Sequence, residues 1–179
     1  AAVRMSSGPS PGLYSEKLMD EWFLPVCTRE LLERHGPLRD ETDLQRFPLL
    51  HSSDEEWSLW ARPGGTASWQ ERGTAFDDSL TVLAGAEQGI GLALTRWSLA
   101  AQDLAIGRIV RASARTVPCP RAYYFVCPEM YVTMPKVQQL LGWLREVAAA
   151  FPPPDSALAA AQLPAGAARA ALTKSRAAP

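Results

Sequence analysis

Asp78 and Ser79 are the residues of this chain whose types and placing most suit chemistry. They follow an extended Thr74-Ala75-Phe76 and stand where an apolar helical repeat begins, in Phe76-Asp77-Asp78-Ser79-Leu80-Thr81-Val82-Leu83. A helix start offers free N–H groups and a partial positive charge, so it can hold a carboxylate or a hydroxyl-rich ligand. In open α/β sheets, ligands sit beyond the carboxyl ends of the strands, where such a start lies. The plainer role for both residues is N-capping, and the sequence leaves both roles open. Tyr123, in Ala122-Tyr123-Tyr124-Phe125-Val126-Cys127-Pro128, has a hydroxyl able to orient a ligand at a cleft edge. A buried tyrosine with one backbone partner would look the same. Arg4 closes the first strand as an ion-pair partner or a carboxylate anchor. His51 follows the buried-looking Phe47-Pro48-Leu49-Leu50, where a lone histidine is more often a hydrogen-bonded structural residue.

Other chemistries lack their residues. His51, Asp77 and Ser79 would suit a hydrolase triad, but the G-x-S-x-G elbow that presents such a serine is missing. Gly89-x-Gly91 has no third glycine and comes after a helix, so it reads as helix termination rather than a nucleotide loop. Cys27, Cys119 and Cys127 make neither a metal-ligand set nor an even-numbered disulfide framework. No metal and no cofactor are expected. A formal charge of −1 argues against a nucleic-acid surface on this chain. The apolar stretches are broken by charge well short of a membrane span, and no secretory signal opens the chain, so a reducing cytoplasm is the default.

The elements that must position these groups alternate along the chain. Ala2-Val3-Arg4-Met5 reads as the middle of a strand, so the chain is expected to start inside a domain. Turn residues fill Ser6 to Gly12, and extended pieces follow at Ser15–Met19 and Trp22–Cys27. Thr28 caps a short helix carrying Leu31 and Leu32, which His35-Gly36-Pro37 ends. Ser53-Asp54-Glu55-Glu56 has the S-x-x-E form of a capping box before Trp57 and Trp60, and Arg62-Pro63-Gly64-Gly65 stops that helix. Trp57, Trp60 and Trp69 read as core and lid packing. Leu80, Leu83 and Ala84 form the stripe of the next helix, Ser98 caps another that ends at Gly107, and Arg108–Val110 is a strand. The clearest amphipathic helix runs from Pro135 to Ala150, with Val137, Leu140, Leu141, Leu144 and Val147 on one side. From Phe151 to Pro179 the text is rich in Pro and Ala and is expected to be a disordered tail. Strands alternating with helices predict an α/β fold with a mainly parallel sheet.

Taken in order, these segments resemble the effector-binding domain of the LysR-type transcriptional regulators, in the branch of the glycine-cleavage activator and the β-lactamase regulator. The resemblance is carried by Ala2-Val3-Arg4 with Gly8 and Pro11-Gly12-Leu13, by Leu24-Pro25-Val26-Cys27, and by Phe47 through His51 and Asp54 through Trp60. It continues through Phe76-Asp77-Asp78-Ser79, Gly89 to Leu94, Gly107 to Val110, Tyr123 to Pro128 and Lys136 to Leu144. It implies a periplasmic-binding-protein-like (type 2) α/β fold: two lobes, a cleft between them and two crossover segments. Lobe I would be residues 1–25 with 123–150, lobe II residues 26–122, and 151–179 the tail. The resemblance also implies an incomplete lobe I, without its first strand and helix, leaving an open edge beside Ala2–Met5 and the Tyr123 strand. It places ligand contacts on Ser79 and Tyr123, with Arg4 and His51 as weaker candidates beside Asp78. The implied function is sensing of a small anionic, amino-acid or peptide-like effector without covalent chemistry. Homodimers or tetramers would form in the parent protein, and DNA would be met only through a separate N-terminal domain. A stand-alone solute-binding module is the alternative reading, and an α/β hydrolase a more distant one.

Overall fold

A computed structural model describes residues 1–61 and 72–155. Two sheets organise them. The larger has strand order β5-β4-β6-β3-β7, with β8 also paired to β3; the smaller is β1-β9-β2. The strands are β1 (Ala2–Ser6), β2 (Tyr14–Met19), β3 (Trp22–Cys27), β4 (Leu49–Ser52), β5 (Thr74–Phe76), β6 (Leu92–Arg96), β7 (Val110–Arg111), β8 (Val117–Pro118) and β9 (Ala122–Cys127). The helices are α1 (Arg29–His35), α2 (Trp57–Trp60), α3 (Ser79–Glu87), α4 (Trp97–Ala105) and α5 (Pro135–Ala150).

Period-two alternation builds the large sheet's two cores. Phe23, Leu49, Leu92 and Leu94 join one cluster with Leu31, Leu44, Trp57 and Trp60. Leu24, Val26, Leu50 and Ala93 point the other way, onto Val82, Leu83 and Ala86 of α3 and Trp97 and Ala100 of α4. Covered on both faces, these strands carry apolar residues at successive positions, as in Leu49-Leu50 and Leu92-Ala93-Leu94. The expectation of a mainly parallel sheet is corrected: β4 is parallel to β5 and to β6, but β3 runs antiparallel to β6, β7 and β8. The reversal follows from β3 entering the large sheet directly from the small one, through Asp20–Glu21, rather than as a member of a β–α–β unit. Pro25 splits the outer ladder of β3, because its carbonyl takes the Ala112 N–H while it has no N–H to return.

The small sheet is wholly antiparallel, with β9 at its centre. The Tyr123 strand is therefore no edge; the edges are β1 and β2. Its core is brief: Phe125, Cys127, Val137 and Leu141. Helix α5 spans the predicted residues, but Leu140 and Val147 are exposed and only Val137 and Leu141 of its stripe are fully buried. The lobe boundaries also move. All of β3 pairs with the large sheet from Trp22 onward, so the first crossing falls at Asp20–Glu21 rather than after Pro25. The second lies between β8 of the large sheet and β9 of the small one.

Local expectations divide in the same way. Thr28 Oγ1 accepts from the Leu31 N–H at 3.3 Å, and Gly36 closes α1. Gly89 ends α3 at φ +72°, and a Cβ on Gly91 would come within 2.5 Å of the Pro48 carbonyl oxygen, so both glycines are structural. In α3 the buried face is Ser79, Val82, Leu83 and Ala86, while Leu80 is 63% exposed and Ala84 also faces water. Ser98 does not cap α4, which begins at Trp97, and the strand expected at 108–110 is Val110–Arg111. Phe151 to Asp155 are not free tail: Phe151 packs on Trp97 with ring centroids 6.2 Å apart, and the Pro152 carbonyl accepts the Trp97 indole N–H at 2.8 Å. The rest of the proposed tail, the 62–65 stop and Trp69 lie outside the described residues.

Candidate functional site

Where the sheets meet, two buried carboxylates organise the side chains. The first is Glu55, whose side chain is fully buried. It lies just beyond the carboxyl end of β4, and the capping box expected at Ser53–Glu56 does not form: α2 begins at Trp57 without a side-chain cap. Ser52, not Ser53, accepts the N–H groups of Asp54 (3.0 Å) and Glu55 (3.2 Å) and donates its hydroxyl to Glu55 Oε2 at 2.7 Å. Ser79 donates to Glu55 Oε1 at 2.7 Å, and its oxygen accepts from Arg96 Nη2 at 2.9 Å. Arg96, the last residue of β6, also brings Nε within 2.9 Å of Glu55 Oε1. That N–H does not point along the line, so Nε is buried in an ion pair without a directed hydrogen bond. At its far end Arg96 Nη1 reaches Met5 Sδ of β1 at 3.0 Å, bridging the sheets.

The second carboxylate is Glu21, buried in the first crossing segment. Its Oε1 accepts the N–H groups of Trp22 (2.9 Å) and Ser98 (3.2 Å), and its Oε2 accepts the Ser98 hydroxyl. Ser98 Oγ in turn lies 3.1 Å from the Tyr123 hydroxyl. The Glu21 carbonyl accepts the Cys119 N–H at 2.8 Å, tying the two crossing segments together. Arg121, beside Tyr123 in the second crossing, donates to the Asp54 carbonyl at 3.0 Å. Next to Tyr123 and Ser98 an apolar cavity of about 260 Å³ opens toward Val3, Leu18, Leu144 and Phe151.

The five residues singled out from sequence thus have distinct settings. Ser79 is buried at the junction, its proton committed to Glu55 and one lone pair to Arg96. Tyr123 is half-buried on the Glu21–Ser98 relay. Asp78 is the N-cap of α3: its Oδ1 takes the Leu80 and Thr81 N–H groups at 2.9 Å each, and Oδ2 takes the Thr81 hydroxyl at 2.6 Å. Those bonds, the Thr81 hydroxyl first, lower its pKa. Free N–H groups for a ligand anion were expected at this helix start, but Asp78 already answers two of them. His51 Nε2 lies 2.7 Å from the Arg72 carbonyl, which can only accept, so the imidazole donates there. Arg4 is exposed on the face of β1 opposite Met5, away from Arg96.

Glu21, Glu55, Ser98 and Arg96 were not among the candidates from sequence. Arg96 carried a usable signal, a lone charge ending the apolar run Leu92-Ala93-Leu94-Thr95. Glu21 and Glu55 stand among other acidic residues and read as solvated.

Two α/β units with separate sheets, joined by two crossing segments and meeting at the carboxyl ends of β4 and β6, define a periplasmic-binding-protein-like architecture. The chain belongs to the LysR substrate binding domain family, which it matches over residues 1–149. It is 32% identical over 151 residues to the glycine cleavage system transcriptional activator of Escherichia coli, covering 83% of this chain and 50% of that protein. It is also 32% identical over 155 residues to the HTH-type transcriptional regulator DsdC of the same species, covering 81% of this chain and 49% of the relative. The chain spans about half the length of these curated relatives. Among solved structures, the effector domain of the transcriptional regulator AmpR of Pseudomonas aeruginosa superposes with a TM-score of 0.66 at 28% identity, covering 82% of this chain and 71% of that one. These relatives are transcriptional regulators. No helix among the described residues is long and apolar enough to cross a membrane.

Proposed function

We propose that this chain is the sensing part of a cytoplasmic transcriptional regulator and that it binds a small anionic, amino-acid-like or peptide-like effector between its lobes. Ser79 and Tyr123 contact that effector, while Asp78 and His51 keep the structural roles described above. The observation that carries the reading is the convergence of Ser79, Arg96 and Tyr123, from three different elements, on the junction that two crossing segments span. Binding there changes how the lobes sit, and it does so only by favouring one arrangement over another. The chain acts by binding rather than by catalysis. DNA contact and assembly into dimers or tetramers belong to the regulator as a whole, with a separate N-terminal domain meeting DNA.

The test is thermal denaturation of the chain with glycine and with L-alanyl-L-alanine at millimolar concentration. The expected result is a rise in midpoint with one of the two that shrinks in Ser79→Ala and in Tyr123→Phe. No rise with either compound, or the same rise in both variants, would remove this reading.

A further inference from the structure

We propose that Arg96 receives a carboxylate of the effector, and that it does so by giving up Met5, so that one guanidinium both reads the ligand and releases the contact between the sheets. This inference rests on the reading above and names the residue that does the recognising.

Arg96 is held in an arrangement that leaves part of its binding capacity unused. A guanidinium carries five N–H donors, and its strongest partners are carboxylates met by two parallel bonds. Here three of its nitrogens have neighbours: Nε beside Glu55 without alignment, Nη2 on a serine hydroxyl, and Nη1 on a thioether. A thioether sulfur is a weak, uncharged acceptor. Each terminal nitrogen also has a second N–H beyond the one used. The edge formed by Nη1 and Nη2 is therefore the fork that a planar carboxylate fits, and the weak Met5 bond is the one it displaces.

The remaining neighbours set the chemistry of the occupant. Glu55 is already satisfied through Ser52, Ser79 and Arg96, so it holds the guanidinium in place rather than binding ligand itself. Ser79 has spent its proton on Glu55 and one lone pair on Arg96, so it offers an acceptor, not a donor. An acceptor beside an anion receptor suits a ligand with a donor close to its carboxylate, as in an α-amino acid. Arg96 is 16% exposed, which admits a compact group to its outer edge without unburying Glu55.

The consequence for signalling is direct. Met5 is in β1 of the small sheet and Arg96 in β6 of the large one, so replacing sulfur by ligand oxygen exchanges a contact between sheets for a contact to effector.

The experiment compares acids with their amides by calorimetric titration: glycine, L-alanine, D-alanine and L-serine, each against its carboxamide. Wild-type protein should prefer an acid by roughly 10- to 100-fold, the worth of a charge-assisted hydrogen bond. Arg96→Gln alone strands the Glu55 charge, so the variant used is the Arg96→Gln, Glu55→Gln pair, whose amides can still bond one another; Arg96→Lys is the second variant. The pair should lose the acid preference, and Arg96→Lys should keep only part of it, since an ammonium has no fork. Methyl NMR gives a readout that a merely structural arginine would not move. Of the four methionines, Met5 should shift on addition of the preferred acid and the exposed Met130 should not. Equal affinity for acid and amide, with both weakened by Tyr123→Phe, would overturn the role of Arg96 and leave the cleft reading standing. No binding of any compound would overturn both. A shift at Met130 without one at Met5 would overturn the exchange at Met5.

Discussion

The large and small sheets use the same residue types but are covered to different degrees. Strands β3, β4 and β6 are packed on both faces, with separate clusters above and below. The small sheet has one short cluster under α5, while β1 is mostly exposed and Val3, Leu140, Trp143 and Val147 meet solvent. Residue for residue, burial of apolar area stabilises by the same amount in either place, roughly 25 cal/mol per Å². The sheets therefore differ in how many such contacts each can lose before it opens. A densely covered sheet beside a loosely covered one suits the sensing role proposed above, because the low-stability part is the part a ligand can reposition.

The sharpest way to break this comparison is to remove one large side chain from each core. Phe23→Ala should cost roughly 3–5 kcal/mol and lower protection of β3, β4 and β6 together. Leu141→Ala should cost roughly 2–5 kcal/mol but act on β1, β2, β9 and α5 alone. Hydrogen exchange of both variants distinguishes the outcomes. If Leu141→Ala loosens the large sheet equally, the two lobes form one cooperative unit.

A smaller effect is expected at the crossing. Glu21→Ala leaves the Trp22 and Ser98 N–H groups and the Ser98 hydroxyl without their buried acceptor, at a cost of about 1–3 kcal/mol. Tyr123→Phe removes only the hydroxyl beside Ser98, so its stability cost should be about 0.5–1.5 kcal/mol. Urea unfolding of the two variants and of the double variant measures this. Additive costs would mean that Ser98 does not couple the crossings, and the relay would be two separate contacts.

The smallest effect is pH-dependent and confined to the small sheet. Arg145 of α5 grips Glu16 of β2 through bonds of 2.6 and 2.7 Å, and this guanidinium, helped by the Tyr14 hydroxyl, lowers the Glu16 pKa. A carboxyl whose folded pKa is depressed adds stability above its unfolded value, about pH 4.3, and loses it as pH falls through the folded value. Exchange protection of β2 and α5 should then drop below about pH 4 before that of β6 does, and Glu16→Gln should abolish the difference.

Much of the fold was legible because local rules and burial agreed. The span of α5 followed from Pro135 and the spacing of Val137 and Leu141, and α1 from Thr28 and Gly36. The two-lobed architecture, by contrast, came from the resemblance of ordered segments to a family rather than from periodicity. Strand direction was misread because a run such as Trp22–Cys27 is apolar whichever way its neighbour points. Only the way the chain enters the large sheet at β3 decides it.

The candidate site divides along the same line. By itself, the sequence determined that Asp78 and Ser79 open a helix after a strand and that Tyr123 lies on an apolar strand, because capping and alternation depend on near neighbours. It could not determine what those side chains touch. Ser79 meets Glu55 and Arg96, 24 and 17 residues away, and Tyr123 meets Ser98, 25 residues away. Glu21 and Glu55 look like ordinary surface acids until Ser98 of α4 reaches the one and Ser79 and Arg96 reach the other. Burial of a charge is tolerated only where distant partners arrive together, and that arrival is a property of the tertiary fold alone.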